Sequence, residues 1–143
     1  MKLINILQDK GGNVVTLDAS ATLLEAAEVL DDKKIGAAVA VDSSGRLVGV
    51  LSERDIVRRV ARHGKDALEM SVSEAMTREV ITATPDLSIQ QGLEQMTDRR
   101  IRHLPVVSEG ELIGIVSIGD LVKRRISAAE AEAEAMKQYI HAG

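Results

Sequence analysis

The chain has 143 residues, of which 45% are hydrophobic, and a formal net charge of −4 at pH 7. It has no Cys, Trp or Phe, so disulfides, thiol catalysis and cysteine-ligated zinc are excluded. Without aromatic platforms for base stacking or an overall basic charge, it is not expected to bind nucleic acid.

The chain begins with a lead-in that ends at Gly11-Gly12 and whose short apolar pattern is broken by Asn5. This lead-in has neither the apolar stretch nor the small-residue cleavage site of a signal peptide. No apolar run in the chain approaches the roughly 20 residues that a membrane span needs. We therefore expect a cytoplasmic protein that has no membrane partner.

Most of the chain consists of two copies of one unit. The first copy opens with Val14-Val15-Thr16 and the second with Val80-Ile81-Thr82, a displacement of 66 residues that becomes 65 after a later turn. A displacement that changes only at a turn indicates duplication followed by a loop deletion. The predicted divisions are 1–62 for the lead-in and first repeat, 63–79 for a connector, 80–125 for the second repeat and 126–143 for a C-terminal helical extension.

Each repeat predicts the element order β-α-β-β-α, which is an α+β fold. After the opening strand, Thr22-x-x-Glu25 and Ser88-x-x-Gln91 fit the capping-box pattern of a helix start. Two strands that are apolar at nearly every position follow, as expected for a sheet covered on both faces. The predicted hairpins join Ala37–Val41 to Leu47–Leu51 and Leu104–Val107 to Leu112–Val116, and a helix follows each hairpin.

Two further helical segments are predicted. Val72, Ala75 and Met76 form one helical turn in the connector. The strong helix formers after Arg125 prolong the last helix, and their apolar residues form a seam that packs against the same chain or a dimer partner, or else belongs to a solvated tail. The seam consists of Val122, Ile126, Ala129, Ala133, Met136 and Ile140.

The stretch from Gly49 to Asp55 recurs as Gly114 to Asp120, with Gly, Ser and Asp kept in both copies. In the simpler interpretation, Ser52 and Asp55 only cap the helix that follows the strand. In the chemical interpretation, the carboxylate accepts two hydrogen bonds from a vicinal diol, while the serine hydroxyl and the helix N-terminus favour a phosphate. The two interpretations are compatible, and a ribose phosphate satisfies the second.

Positive charge near these stretches differs between the repeats. Arg102 and His103 precede a strand in the second repeat, where the first repeat has Gly36 and Ala37. Taken singly, these cations are a solvated Arg and a partly buried His, but their asymmetry favours a phosphate-binding role at one cleft. In the first repeat, Arg54 lies at the helix start and is the arginine placed to reach a phosphate.

The repeats resemble a tandem pair of cystathionine β-synthase (CBS) domains, a Bateman module of the free-standing bacterial type. The resemblance is carried by the two Gly-x-x-Ser-x-x-Asp segments and by the stretch from Ile101 to Val107, and it covers nearly the whole chain. It implies a pseudo-twofold pair with two clefts between the repeats that take adenine nucleotides. In this family the Asp of the motif holds the ribose.

On this resemblance, Asp55 and Asp120 are ribose ligands, and Ser52 and Ser117 lie near ribose or phosphate. Arg54, Arg102 and His103 meet phosphates. The remaining implied ligand residues hold the base from the opposite repeat: Val15, Ile35 and Gly36 at the Asp120 cleft, and Ile81 and Ile101 at the Asp55 cleft. Gly119 departs from the family pattern, because many members have a side chain beside the phosphate there.

The resemblance implies a regulatory, ligand-sensing protein that binds AMP, ADP, ATP or NAD(H), forms a homodimer and signals to an unknown partner. A ligand-independent dimerisation module is the first alternative. An enzyme is the second alternative and is not expected, because the sequence has no base, nucleophile and orienting group in a recognisable constellation. The three His residues lack metal-ligand spacing, so no metal site is predicted.

Overall fold

The computed structural model describes residues 1–11 and 14–142. Gly12 and Gly143, at the ends of the predicted lead-in and extension, lie outside the described residues. The chain divides into two compact units. The first-repeat unit is Asn13–Ile81, and the second-repeat unit joins Met1–Gly12 to Thr82–Gly143.

The repeated strand–helix order confirms the predicted α+β class, as does the continuation of the last helix through the extension. Both helices predicted from capping patterns begin directly after the predicted cap, since the hydroxyl oxygens of Thr22 and Ser88 accept from the backbone N–H three residues later. The elements are α1 (Leu3–Lys10), β1 (Thr16–Asp18), α2 (Leu23–Lys33), β2 (Ala37–Val41), β3 (Leu47–Ser52), α3 (Glu53–His63), a 3₁₀ helix (Gly64–Glu69), α4 (Val72–Ala75), α5 (Ile89–Arg99), β4 (His103–Ser108), β5 (Glu111–Ser117) and α6 (Ile118–Ala142).

The first-repeat unit contains a three-stranded sheet in the order β1-β2-β3. Strand β1 runs parallel to β2, and β2 is antiparallel to β3. One face of α2 and the short helix α4 pack on this sheet, as the apolar spacing predicts. Its buried core includes Leu17, Leu23, Ala26, Leu30, Ala38, Ala40, Leu51 and Val72.

The second-repeat unit repeats this hairpin as β4 and β5, but its opening strand is shorter than predicted. Only Ala83 bridges to β4, opposite Val106, although the sequence indicates a strand over Val80–Thr82. The N–H of Ala83 donates to the carbonyl of Pro105 at 2.9 Å. Pro85 and Pro105 have no N–H, so neither residue can donate the bonds that would lengthen this ladder.

The first copy also departs from the predicted strand limits. Strand β1 begins at Thr16, so Val14 and Val15, which were predicted to open it, precede the ladder. The ladder continues past the strand, since Ala19 N–H donates to the carbonyl of Val41 at 2.9 Å. Pro85 lies 66 residues after Ala19, and therefore the second repeat cannot form the matching bond.

The segment before each repeat packs on the other repeat. Leu3 N–H donates to the carbonyl of Leu87 at 2.9 Å, and Val72 N–H donates in the same way to Ala21 at 2.8 Å. Helix α1 therefore belongs to the second-repeat unit, whereas the sequence analysis attached the lead-in to the first repeat. The reason is that the apolar face of α1 fits β5 and α6, and the other predicted divisions stay predictions.

Helix α6 is the longest element, with 25 residues. Its first turns pack on the second-repeat unit through Leu121, which is fully buried. From Ile126 to His141 every described residue is exposed, so the extension leaves the body of its own unit. Across the described ranges, 1–11 and 14–142, no helix combines the length and hydropathy that crossing a membrane requires.

Candidate functional site: two Ser–Asp helix starts

The first Ser–Asp helix start lies where β3 runs into α3. Ser52 ends the strand in an extended conformation, and its hydroxyl oxygen accepts from Asp55 N–H at 3.3 Å. In return, Asp55 Oδ2 accepts from Ser52 N–H at 2.9 Å and from the Ser52 hydroxyl at 3.1 Å. The capping interpretation is thus correct for this pair, and it holds the carboxylate at the positive end of the helix.

The second Ser–Asp helix start lies where β5 runs into α6 and has the same geometry. Asp120 Oδ2 accepts from Ser117 N–H at 2.9 Å, and Ser117 Oγ accepts from Asp120 N–H at 3.1 Å. Both carboxylates are partly buried at the rim of a sheet. A carboxylate held in this way presents its remaining lone pairs in a fixed direction, which suits a diol with two neighbouring hydroxyl groups.

The two helix starts differ in the cation beside the carboxylate. Lys10 Nζ, at the end of α1, donates to Asp120 Oδ2 at 2.8 Å and to the carbonyl of Ile115 at 3.3 Å. At the first helix start, Arg58 approaches Asp55 Oδ1 only to 3.9 Å. Asp120 therefore has a close ion pair, while the cation beside Asp55 stands at the outer limit of one.

The ion pair with Lys10 affects the charge state of Asp120. Burial alone would raise the pKa of this carboxyl group, because it disfavours the charged form. The hydrogen bonds from Lys10 and Ser117, together with the charge of Lys10, outweigh burial and lower the pKa below its ordinary value of 3.8. Asp120 is consequently an anion throughout the physiological pH range and acts as an acceptor only.

The glycine that opens each motif has a packing role. A Cβ on Gly49 would lie 2.9 Å from the backbone carbonyl oxygen of Thr77 and would also overlap the Met76 side chain. A Cβ on Gly114 would lie 2.5 Å from a methyl group of Leu7. Each glycine thus lets the segment before the other repeat lie directly on the strand, and neither glycine is needed to make room for a ligand.

The backbone brings Gly36 and Arg102 to the two helix starts. The carbonyl of Gly36 accepts from Glu53 N–H at 2.9 Å, and that of Arg102 accepts from Ile118 N–H at 2.8 Å. His103 pairs with Ser117 across the β4–β5 hairpin. Arg102 and His103 therefore lie beside the Asp120 helix start, and the Arg102 side chain is exposed.

The other predicted ligand residues are placed as follows. Arg54 is exposed at the second position of α3. Ile35 and Ile101 are half-buried, and their N–H groups bond to the carbonyls of Leu30 and Met96 just after α2 and α5. The remaining two, Val15 and Ile81, are half-buried in the segments that precede Thr16 and Thr82.

Lys10 is the site residue that the sequence analysis missed. Its signal was weak, because a single Lys at the end of a ten-residue segment is usually solvated. A stronger signal was the match between Leu3-x-x-Ile6-Leu7 and Val72-x-x-Ala75-Met76, which lie 69 residues apart. That match would have identified the lead-in as a second copy of the connector helix and placed its end near a Ser–Asp helix start.

A search for clustered metal-ligating side chains finds no group of three or more His, Asp or Glu within the part of the chain that the structure describes. The chemistry that the two helix starts offer is therefore that of hydrogen bonding and charge. Each provides one carboxylate, one hydroxyl and the N–H groups of a helix start.

Comparison with known proteins gives a consistent result. The family model described as "CBS domain" matches residues 10–62 and again residues 72–127. The CBS domain-containing protein YhcV of Bacillus subtilis is 34% identical over 131 residues, which cover 90% of this chain and 92% of YhcV. The crystal structure of the CBS-domain containing protein ATU1752 from Agrobacterium tumefaciens has a TM-score of 0.84 and 43% identity, covering 87% of this chain and 92% of that one.

A further solved structure contains ligands. It is the CBS domain pair of the protein MJ0100 in complex with 5′-methylthioadenosine and S-adenosyl-L-methionine. It has a TM-score of 0.78 and 28% identity, and the match covers 90% of this chain and 98% of that one. Both of its ligands contain adenosine, and neither contains a phosphate.

Proposed function

Because the chain belongs to the CBS domain family, we propose that it is a regulatory module that senses adenosine-containing ligands, with AMP, ADP, ATP and NAD(H) as the leading candidates. The observation that carries this proposal is the pair of Ser–Asp helix starts, in which a fixed carboxylate is presented twice with the same geometry. A capped helix alone would need neither the repetition nor the rim position.

In the proposed binding mode, Asp55 and Asp120 each accept hydrogen bonds from the two ribose hydroxyl groups. Charged acceptors of this kind form stronger bonds than neutral ones. The N–H groups at the start of α3 or α6, together with Ser52 or Ser117, then attract a phosphate if the ligand has one. Arg54, Arg102 and His103 would add positive charge there.

The adenine is proposed to contact backbone and apolar side chains. The sequence analysis assigns Val15, Ile35, Gly36, Ile81 and Ile101 to this role, and the half-burial of the four apolar residues among them is compatible with it. The ligands of the MJ0100 domain pair support adenosine as the shared element. Phosphate contacts would then distinguish one adenosine ligand from another.

The proposal includes a homodimer, a regulated partner protein and a cytoplasmic location, with no catalytic step. A ligand-independent dimerisation module is the second candidate, and one observation favours it. Lys10 already donates to Asp120 Oδ2, so this helix start is stable without a ligand. The two candidates differ in whether a ligand changes the protein.

Isothermal titration with AMP, ADP, ATP, NADH and S-adenosyl-L-methionine tests the proposal. At least one of them is expected to bind saturably, and Asp55→Asn and Asp120→Asn are each expected to weaken one class of site by about 1–3 kcal/mol, the range for a hydrogen bond to a charged group. Asn preserves the capping oxygen, so both variants should stay folded.

Asp98→Asn is the matched control, because Asp98 is an exposed residue of α5 outside both helix starts. Its affinities should equal those of the unmodified protein. Absence of binding by every compound would overturn the nucleotide proposal. Binding that neither Asp variant alters would remove the two carboxylates from the ligand site.

A further inference from the structure

We propose that the C-terminal part of α6 forms a parallel two-stranded coiled coil with α6 of a second copy of this chain. This inference does not depend on nucleotide binding. It starts from the exposed extension, Ile126 to His141, along which no described side chain is buried.

The extension carries an apolar seam on the side of α6 that faces away from its own unit. Leu121 and Arg124 contact that unit, since Leu121 is fully buried and Arg124 bonds to the carbonyl of Asn5 at 3.3 Å. Ile126, by contrast, is 53% exposed. The same seam continues through Ala129, Ala133, Met136 and Ile140.

The spacing of this seam is that of a heptad repeat. Its residues alternate by three and four positions, which places Ile126, Ala133 and Ile140 at position a. The residues at position d are Ala129 and Met136. Met136 and Ile140 are 56% and 67% exposed in the single chain, although both are apolar. An isolated helix of this length is marginal in water, so a second helix on the seam would stabilise it.

The charges that flank the seam select the orientation of the partner. In a parallel pair, a residue at position g lies near the residue at position e five places later on the other helix. Arg125 would then face Glu130 of the partner subunit, and Glu132 would face Lys137 of the partner subunit. Both contacts pair opposite charges, and the twofold symmetry doubles each of them.

An antiparallel pair gives the opposite result. There, residues at position e meet residues at position e, and residues at position g meet residues at position g. Centred on the seam, this arrangement places Glu130 against Glu130 of the partner subunit and Glu132 against Glu132 of the partner subunit. Like charges across the seam are destabilising, so the charge pattern favours the parallel arrangement.

Cysteine cross-linking of the full chain tests the orientation, because the natural sequence contains no Cys. In a parallel pair, equal positions face each other, so Ile126→Cys and Met136→Cys should each form a disulfide-linked dimer with itself under mild oxidation. Ala131→Cys, at the outward position f, is the matched control and should remain largely monomeric on a non-reducing gel.

Two cross-linking results would overturn the proposal. One is a dimer that forms only when Ile126→Cys and Met136→Cys are mixed, since this is the antiparallel pattern. The other is no cross-linking of either variant, which would mean that the seams of two copies do not meet.

A charge exchange tests the same contacts without cysteine. Glu132→Lys turns two attractive pairs into repulsive ones and should raise the dimer dissociation constant in sedimentation equilibrium by roughly tenfold. Adding Lys137→Glu should restore it. Glu134→Lys makes the same change in net charge at the outward position b and should leave it unchanged. An unaltered dissociation constant in Glu132→Lys, or no rescue by the double variant, would contradict the proposal.

Discussion

Lys10 Nζ lies 2.8 Å from Asp120 Oδ2, and this ion pair joins the N-terminal helix to the start of the last one. Its asymmetry comes from helix length. Helix α1 continues for eight residues, whereas its counterpart α4 ends after four. The residue that matches Lys10 at the displacement of 69 is Glu79, whose charge is opposite. The two Ser–Asp helix starts are therefore alike in backbone and unlike in charge.

The first prediction concerns the pKa of Asp120. Lys10→Met removes a hydrogen bond and a positive charge while burial remains, so the pKa of Asp120 should rise from its lowered value. A ¹³C NMR titration of the Asp carboxyl groups measures this change. Lys65→Met is the control, since it removes an exposed Lys from the first-repeat unit. An unchanged pKa would show that Lys10 does not hold this carboxylate in solution.

The same ion pair makes stability depend on pH. A carboxyl group whose pKa is lowered in the folded state stabilises the protein above its ordinary pKa of 3.8, and this contribution is lost as pH falls through the lowered value. Lys10→Met should therefore reduce the free energy of unfolding at pH 7 by about 0.5 kcal/mol, a small effect because both side chains are partly exposed. The difference should shrink towards zero below pH 3.8 in urea titrations.

A second prediction separates the two helix starts by affinity. If a ribose diol binds Asp120, it competes with Lys10 for the carboxylate, and therefore Lys10→Met should tighten binding there by roughly two- to fivefold. The test ligand is 5′-methylthioadenosine, which has no phosphate for Lys10 to attract. Arg58→Met is the matched variant at Asp55 and should have a smaller effect, because its contact is 3.9 Å long. Weaker binding by Lys10→Met would assign Lys10 to the ligand site.

The features that the sequence predicted well depend on short-range chemistry. Thr22, Ser88 and Ser52 each cap a helix through a residue three positions later, so local sequence fixes those helix starts. The hairpins follow from apolar runs separated by a turn. Repetition added to this, because the same stretch seen twice located both carboxylates.

The features that the sequence did not reveal depend on distant partners. Nothing near Lys10 in the chain indicates Asp120, which is 110 residues away. The exchange of lead-in helices was hidden because the displacement is 69 there and 66 in the repeats. The shortened opening strand of the second repeat was foreseeable in principle, since Pro85 and Pro105 remove two donors from one ladder.

A third prediction concerns the motif glycines. Gly49→Ala should destabilise the protein by about 1–3 kcal/mol, because the added Cβ meets the backbone carbonyl of Thr77 at 2.9 Å. Gly114→Ala should cost less, since the Cβ meets the tip of Leu7, a side chain that can move. Thermal unfolding measures both changes.

Two further variants sharpen the glycine test. Leu7→Ala should relieve part of the cost of Gly114→Ala in a double-mutant cycle, because it removes the overlapping methyl group. Gly119→Ala is the control, since its Cβ would have ordinary contacts of 3.6 Å with Ser117 Oγ, and a helical position favours Ala over Gly. Equal costs at Gly49 and Gly114, with no coupling to Leu7, would contradict the packing role.

The last prediction concerns the ends of α2 and α5. Lys34 and Arg100 both adopt a left-handed conformation with φ of 54°, and the N–H of each bonds back to its helix. A non-glycine residue pays for this conformation through contact of its Cβ with the backbone, so Lys34→Gly and Arg100→Gly should each stabilise the protein by about 0.5–1 kcal/mol. Lys33→Gly and Arg99→Gly, one residue earlier within each helix, should destabilise it by about 1 kcal/mol, because glycine weakens a helix interior. Opposite signs at neighbouring positions in urea unfolding would establish the left-handed caps. The same sign at both would contradict them.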